Sequence, residues 1–254
     1  MNIFRGIFRF LHLIAHCIRG LYLSYTRLHG TQSHDLSDEQ HKIIQTWLHR
    51  SAEIIGIDIQ IHGTAAQSPA FIVANHISWL DIIIISSVLP VSFLSKAEIR
   101  SWPIIGTLAA KAGTLFIHRG SKNGAAEAVD LVKVKLAAGH SVASFPEAKT
   151  TDGSSVKLFH ARLFAAAIET HTPVQPVALR YPPLKAKTAT SINPIVPYVE
   201  GPNLVQHAFR IMCAKRTIAE VTLCNPFEVK EQARKELAQS ARDAIAQIVE
   251  SKKY

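Results

Sequence analysis

The stretch FIVANHISWLD, Phe71–Asp81, sets a histidine and an aspartate five residues apart, where one apolar run stops and another, IIIISSVL, begins. The first run, AFIVAN (70–75), is short and continuous, which reads as a strand buried on both faces. The second is helix-like. A core has no need of a polar pair at such a joint. In an open α/β sheet, however, the joint lies at the carboxyl end of a strand, where ligand sites gather. His76 then stands just before a helix and Asp81 lies in its first turns, close enough to meet. A carboxylate that accepts from one imidazole nitrogen fixes the tautomer and leaves the other nitrogen as a base. The plainer reading is that Asp81 compensates the helix start and His76 is a buried polar residue with one partner. In a chain with 13 histidines, spacing alone leaves both readings open.

Outward from this joint, strand and helix signals alternate. Ser37 opens SDEQ, a Ser-x-x-Gln capping box, and its helix runs to about Gly56. IDIQIHG (57–63) alternates apolar and polar as a half-buried strand does, and VSFLS (91–95), GTLFIHRGS (113–121) and SVASFPE (141–147) read as further strands. Helices are expected after Asp81, from Trp102-Pro103 to about Ala112, and over 123–140, 159–170 and 229–251. VQPVALRY (174–181) reads as a strand whose Pro176 places it at an edge or a bulge, and TIAEVTLCNPF (217–227) holds the last strand. Residues 30–36 read as a linker, and 182–203, with five prolines, as a long excursion. The order argues an α/β fold: a mainly parallel or mixed sheet flanked by helices.

The first 25 residues carry a helical period. Ile3, Phe4, Ile7, Phe8, Leu11, Ile14, Ile18, Leu21 and Tyr25 share one side, and Arg5, Arg9, His12, His16 and Arg19 recur on another. An apolar side beside a basic stripe is the pattern of a helix lying in the interface of an anionic bilayer. A full span needs roughly twenty uncharged apolar residues, and Arg9 and Arg19 interrupt this one. A signal peptide needs an unbroken apolar region and a small-x-small site, and neither is seen. Packing against the protein itself is the alternative. The chain thus divides into a helical, membrane-docking segment (1–56) and an α/β domain (57–254).

Twenty-eight Lys and Arg against nineteen Asp and Glu leave a net charge of +9, which suits an anionic partner. Nucleic acid is the poorer choice, because the basic residues are scattered and no recognition motif accompanies them. Cys17, Cys213 and Cys224 form no CxxC pair, so a disulfide framework and a zinc site are both unsupported and no metal is expected. Ser78 reads as a helix cap rather than a nucleophile, since no GxSxG elbow surrounds it. Trp79 and Trp102 read as packing or membrane-facing aromatics, and His160 and His171 as surface or helix-end residues.

NHISWLD resembles the Asn-His-x-x-x-x-Asp block of the glycerolipid acyltransferases, the family of lysophosphatidate acyltransferases. Three more stretches follow in that family's order: GTLFIHRGS resembles the second block, FPEAKTTDG the third and VQPVALRY the fourth, so that the resemblance covers roughly residues 70–181. It implies His76 as general base and Asp81 as its orienting partner. It implies a substrate-binding set of Asn75, Gly113, Phe116, Arg119, Pro146, Glu147 and Lys149, with Arg119 as ligand for an acceptor phosphate or other anion. The chain departs from the pattern at His118, where the family often has Asp, and at Ala148, Lys149 and Thr150, where it has Gly, Thr and Arg. Lys149 replaces the charge of that arginine but not its bidentate fork. The implied activity moves a fatty acyl group from a thioester of coenzyme A or acyl carrier protein to the hydroxyl of a lysolipid. No cofactor is implied beyond that co-substrate. The acceptor expected first is 1-acyl-sn-glycerol-3-phosphate, giving phosphatidate; the alternatives are a lyso-ornithine lipid or another lysophospholipid, and more distantly an inactive acyl-binding relative. Membrane lipids are the implied partners, and the cytoplasmic face of the inner membrane the implied location, peripheral or monotopic. Amides near the start of the helix after His76 are the expected oxyanion donors.

Overall fold

The computed structural model describes residues 2–28, 36–67, 69–118, 124–185, 192–199, 203–229 and 233–251. The expected linker, apart from Leu36, and parts of the proline-rich excursion lie outside these residues.

Seven strands form one mixed sheet: β1 (Ile57–Gly63), β2 (Phe71–Ala74), β3 (Val91–Lys96), β4 (Leu115–Ile117), β5 (Ser141–Ser144), β6 (Val174–Arg180) and β7 (Thr217–Leu223). Their order across the sheet is β1-β7-β6-β2-β5-β3-β4. The β6–β7 pair is antiparallel and the other five pairs are parallel. The helices are α1 (Ile3–Thr26), α2 (Asp38–Ile55), α3 (Leu80–Val88), α4 (Ile105–Lys111), α5 (Gly124–Ala137), α6 (Phe164–Glu169), α7 (Leu204–Met212) and α8 (Arg234–Val249). The apolar run at 71–74 is continuous because β2 is covered on both sides. Phe71 and Val73 face the cluster that includes Phe164, Leu237 and Ala241, while Ile72 and Ala74 face the one that includes Ile84, Ile85 and Ile211.

The capping box of α2 forms as read. Gln40 N donates to Ser37 Oγ at 3.3 Å, Ser37 N donates to Gln40 Oε1 at 3.0 Å, and Gly56 closes the helix at φ +93°. Pro176 needs a correction. β6 lies inside the sheet, between β7 and β2, so the edge reading fails and the bulge reading holds. The register against the antiparallel partner moves by one residue between Val174↔Phe227 and Val177↔Leu223, next to Pro176. The buried Gln175 side chain fills the opened ladder, donating to the carbonyls of Thr64 and Cys224 and accepting from Ala66 N.

Helix α1 forms over the expected residues, but its polar residues do not make one outward stripe. Arg9 turns inward and its guanidinium donates to the carbonyls of Met212, Ala214 and Lys215, which close the end of α7. Gly56 leaves the space for it, since a Cβ there would stand 2.4 Å from the guanidinium carbon. His16 is buried, stacked on Trp47 at 4.8 Å, with Nε2 on the Trp47 carbonyl at 3.0 Å. Burial lowers its pKa, so it is neutral at pH 7. The apolar side faces outward instead: Phe4 is 85% exposed and Phe8 70%, with Ile3, Ile7, Leu11, Ile14, Ile18, Tyr22 and Tyr25 exposed beside them. None of the described helices is long and apolar enough to cross a membrane.

The attachment of α1 depends on small residues. A Cβ at Gly20 would meet the Trp47 ring at 2.7 Å. Replacing Gly20 with Leu should therefore loosen α1 from α2 at a cost of about 1–3 kcal/mol. The expected readout is faster tryptic cleavage within α1, while the sheet domain stays protected.

Candidate active site

The strand β2 runs out at Ala74, and the next five residues cross the carboxyl end of the sheet to reach α3. Asp81, in the first turn of α3, has no exposed surface, whereas the His76 side chain keeps 18% of its own. The two meet: His76 Nδ1 lies 2.8 Å from Asp81 Oδ2. The same oxygen accepts from Ile77 N at 2.6 Å and Ser78 N at 2.8 Å. The other oxygen, Oδ1, accepts from the Tyr181 hydroxyl at 2.5 Å. Surrounded by donors, Asp81 acts as an acceptor, so Nδ1 carries the imidazole proton and Nε2 is left as the basic atom. The imidazole ring stacks on Phe145 at 4.0 Å, and Phe145 in turn stacks near Phe93 at 5.3 Å.

A second buried carboxylate holds the backbone of the same loop. Glu147 Oε1 accepts from His76 N at 2.7 Å and Oε2 from Lys157 N at 2.9 Å. The His76 carbonyl accepts from Thr151 N at 2.8 Å, and the Ile77 carbonyl from Tyr198 N at 2.9 Å. Burial, the largest influence, pushes the Glu147 carboxyl above its ordinary value; the two amides and His76 pull the other way. A carboxyl raised in the folded state binds its proton more tightly there. The stability it lends is complete below the unfolded carboxylate range and is lost as the pH rises through the raised value.

The other expected site residues fall into three groups. Asn75 and Pro146 are buried scaffold. The Asn75 amide is engaged at both ends by Leu179, accepting from its N–H at 2.8 Å and donating to its carbonyl at 3.0 Å, so it ties β2 to β6. Gly113 and Phe116 lie on and before β4, three strands from β2 and roughly 14 Å away at ordinary strand spacing. Gly113 takes φ +76°, with Leu36 and Ser92 where a Cβ would point. Phe116 is half-buried, with the Arg100 guanidinium 5.7 Å from its ring centre. Lys149 is exposed on the turn after Glu147. Arg119 lies outside the described residues.

Two readings change. Ser78 caps nothing with its side chain: its hydroxyl is buried without a partner among the described residues, and Asp81 gathers the loop amides instead. Because Ile77 N and Ser78 N are thus occupied, neither is an oxyanion donor. The reading missed Tyr181 and Phe145, although both ended quoted strands at the carboxyl edge of the sheet. It also missed the His207 imidazole, whose Nδ1 accepts from Trp79 Nε1 at 3.0 Å. No sequence signal joined residues 128 positions apart.

A family model described as Acyltransferase matches residues 57–180. A lyso-ornithine lipid O-acyltransferase of Pseudomonas aeruginosa is 36% identical over 215 residues, 83% of this chain and 80% of that protein. The chain belongs to the acyltransferase family. A 1-acyl-sn-glycerol-3-phosphate acyltransferase of Neisseria gonorrhoeae shares 40% identity with this acyltransferase over 129 residues, about half of each chain (50% and 51%). The fold matches the crystal structure of the 1-acyl-sn-glycerophosphate acyltransferase of Thermotoga maritima, with a TM-score of 0.69 at 18% identity over 98% of this chain and 95% of that one.

Two stability measurements test the loop. In urea unfolding, the advantage of wild type over Glu147→Gln should narrow as the pH rises from about 4 to 7. Ala148 holds φ +61° in the turn after Glu147, a position where a Cβ is costly. Ala148→Gly should raise stability by about 0.5–1 kcal/mol in thermal unfolding.

Proposed function

We propose that this acyltransferase works at a membrane surface, moving a fatty acyl group from a coenzyme A or acyl-carrier-protein thioester to the free hydroxyl of a lyso-ornithine lipid. The observation that carries the chemistry is the 2.8 Å contact between His76 Nδ1 and a fully buried Asp81. Nε2 of His76 takes the acceptor's hydroxyl proton as its oxygen attacks the thioester carbonyl. The tetrahedral centre collapses, the carbon–sulfur bond breaks, and the thiolate takes the proton from His76. An ester and a free thiol leave, and the enzyme is unchanged. Nothing in this sequence needs a covalent acyl-enzyme, and no described residue forms a nucleophile elbow. The intact dyad also argues against a merely acyl-binding protein.

Two observations favour the ornithine head group over a phosphate. The broad relatives of Pseudomonas aeruginosa and Brucella abortus, covering 83% and 79% of this chain, bear the name lyso-ornithine lipid O-acyltransferase. The turn after Glu147 has Thr150 where the family pattern has an arginine, and the single ammonium of the neighbouring Lys149 lacks the fork that grips phosphate. The second reading, 1-acyl-sn-glycerol-3-phosphate, is favoured by the Neisseria relative, whose match spans only half of each chain. Membrane contact is supported by the outward apolar side of α1, which water alone would leave exposed.

The test is acyl transfer by the full chain on vesicles doped with each lysolipid, scored by mass spectrometry and by released thiol. Lyso-ornithine lipid should be acylated several-fold faster than 1-acyl-sn-glycerol-3-phosphate, and His76→Ala should lower transfer by about a thousandfold or more. Preference for the phosphate acceptor would overturn the head-group assignment. A folded His76→Ala protein that still turns over freely would remove the dyad.

A further inference from the structure

The Tyr181 hydroxyl touches the dyad at the Asp81 oxygen that His76 does not use, and no step described so far involves it. Tyr181 follows β6 and is 2% exposed, its ring within the apolar cluster formed by α2, α3 and α7 on the sheet. Asn193 N donates to its carbonyl at 2.8 Å, which holds the backbone at this point. The ring is therefore fixed, and its oxygen meets Asp81 Oδ1. Burial and then the charge of Asp81 raise the ionisation of the phenol well above its ordinary value, so it stays an O–H donor throughout the working range of pH.

We propose that Tyr181 is a positioning residue for acyl transfer, one that draws the charge of Asp81 toward Oδ1 and so sets how tightly the carboxylate holds the proton of His76. This rests on the reading of His76 as the base. The argument begins from what the base requires. It must be neutral at working pH and still strong enough to take a hydroxyl proton. A buried carboxylate beside an imidazole strengthens the base, but it also favours the imidazolium, which is inactive. Here Asp81 has four donors, and apart from His76 none of them can carry a positive charge: two amides and a phenol. Both amides share Oδ2 with the imidazole. Among the described residues only Tyr181 reaches Oδ1, so it spreads the charge away from His76 without bringing a cation into the pocket. It also ties the second oxygen, which keeps the carboxylate from turning about its own bond and keeps Oδ2 aimed at Nδ1.

Loss of the hydroxyl leaves Oδ1 without its donor. Whether the imidazole or the carboxylate then takes the extra proton, the pair as a whole holds it to a higher pH. Tyr181→Phe removes one oxygen and keeps the ring in place. The pH profile of kcat/KM should have its acid limb displaced upward by about one unit, which is about a tenfold loss of activity on that limb. KM for the acyl donor should be unchanged. Incorporation of 3,5-difluorotyrosine at position 181, a more acidic phenol of similar size, should move the limb the other way.

An arm independent of turnover separates this proposal from the reading it rests on. Histidine labelled at Cε1 gives one NMR titration per ring, and the His76 signal is identified by its loss in His76→Gln. Its midpoint should rise in Tyr181→Phe and fall with difluorotyrosine, whether or not the acceptor has been found. Midpoints that do not move in either variant overturn the proposal, even if Tyr181→Phe is slower. So does an acid limb that stays in place while kcat falls. A wild-type protein that transfers no acyl group would refute the reaction and leave the NMR result to decide the coupling.

Discussion

A carboxylate with no exposed surface must find donors inside the fold, and Asp81 finds four. Two come from the loop that leaves β2, one from the imidazole that loop carries, and one from the end of β6. Because these donors belong to two stretches of chain and the carboxylate to a third, α3, the carboxylate fixes the position of each stretch relative to the others. Glu147 repeats the device one layer out, binding the His76 amide to the loop after β5. Two buried acids thus do in this site what a regular ladder does in the sheet. The loop from Asn75 to Trp79 has no helix or strand geometry, yet its position is fixed by hydrogen bonds to α3, β6, the loop after β5, the segment at Tyr198 and α7. A base on such a loop is held in orientation before any substrate arrives, which spares the reaction that cost.

The outer helix follows the opposite logic. In a helix of a water-soluble protein the apolar stripe faces the core. In α1 the fully buried positions are Gly6, His16, Gly20 and Ser24, and most of the large apolar residues face out, with Phe10 and Leu13 among the exceptions. What attaches α1 is therefore close approach and polar fit. Arg9 caps the carbonyls at the end of α7, His16 and Trp47 stack and exchange hydrogen bonds, and Phe10 meets Phe209 edge-on at 6.3 Å. Small residues let helices approach without consuming the apolar surface. On the proposed reading, that surface is kept for lipid.

Much of this could be read from residues alone, and the exceptions share a cause. The run at 71–74, the capping box at 37–40 and the His76–Asp81 pair are local, so periodicity and spacing reveal them. Pro176 was legible as an interruption but not as an interior one, because strand order is not written in any single strand. The resemblance implies Asn75 and Glu147 as substrate ligands. Their partners, Leu179 at a separation of 104 and His76 at 71, make them ties between segments. Arg9 was read as part of an outward stripe, since a helical wheel records angles and not what lies against each face. Ala148 was read as a departure in charge and chemistry. Its positive φ gives a backbone reason for the glycine of the family pattern at that place.

The strand order also bears on what the site can accept. The dyad lies at the end of β2, while the second-block residue Phe116 and its Arg100 neighbour lie at β4, on the edge of the sheet. Roughly 14 Å of strand ends separate them. A small acceptor cannot touch both places, but on the proposed reading a lipid with its hydroxyl at the dyad has a fatty chain long enough to run along the strand ends between them. Phe93 and Phe145 lie between, on and next to the two intervening strands, and offer aromatic surface along that path. A long apolar molecule with a polar end is thus matched to the sheet's carboxyl edge by distance as well as by chemistry. That match is one of chain length and holds for either head group, so on the same reading discrimination between them falls to groups around the dyad itself, the turn after Glu147 among them. Three of the chain's departures from the family pattern, Ala148, Lys149 and Thr150, follow Glu147 there.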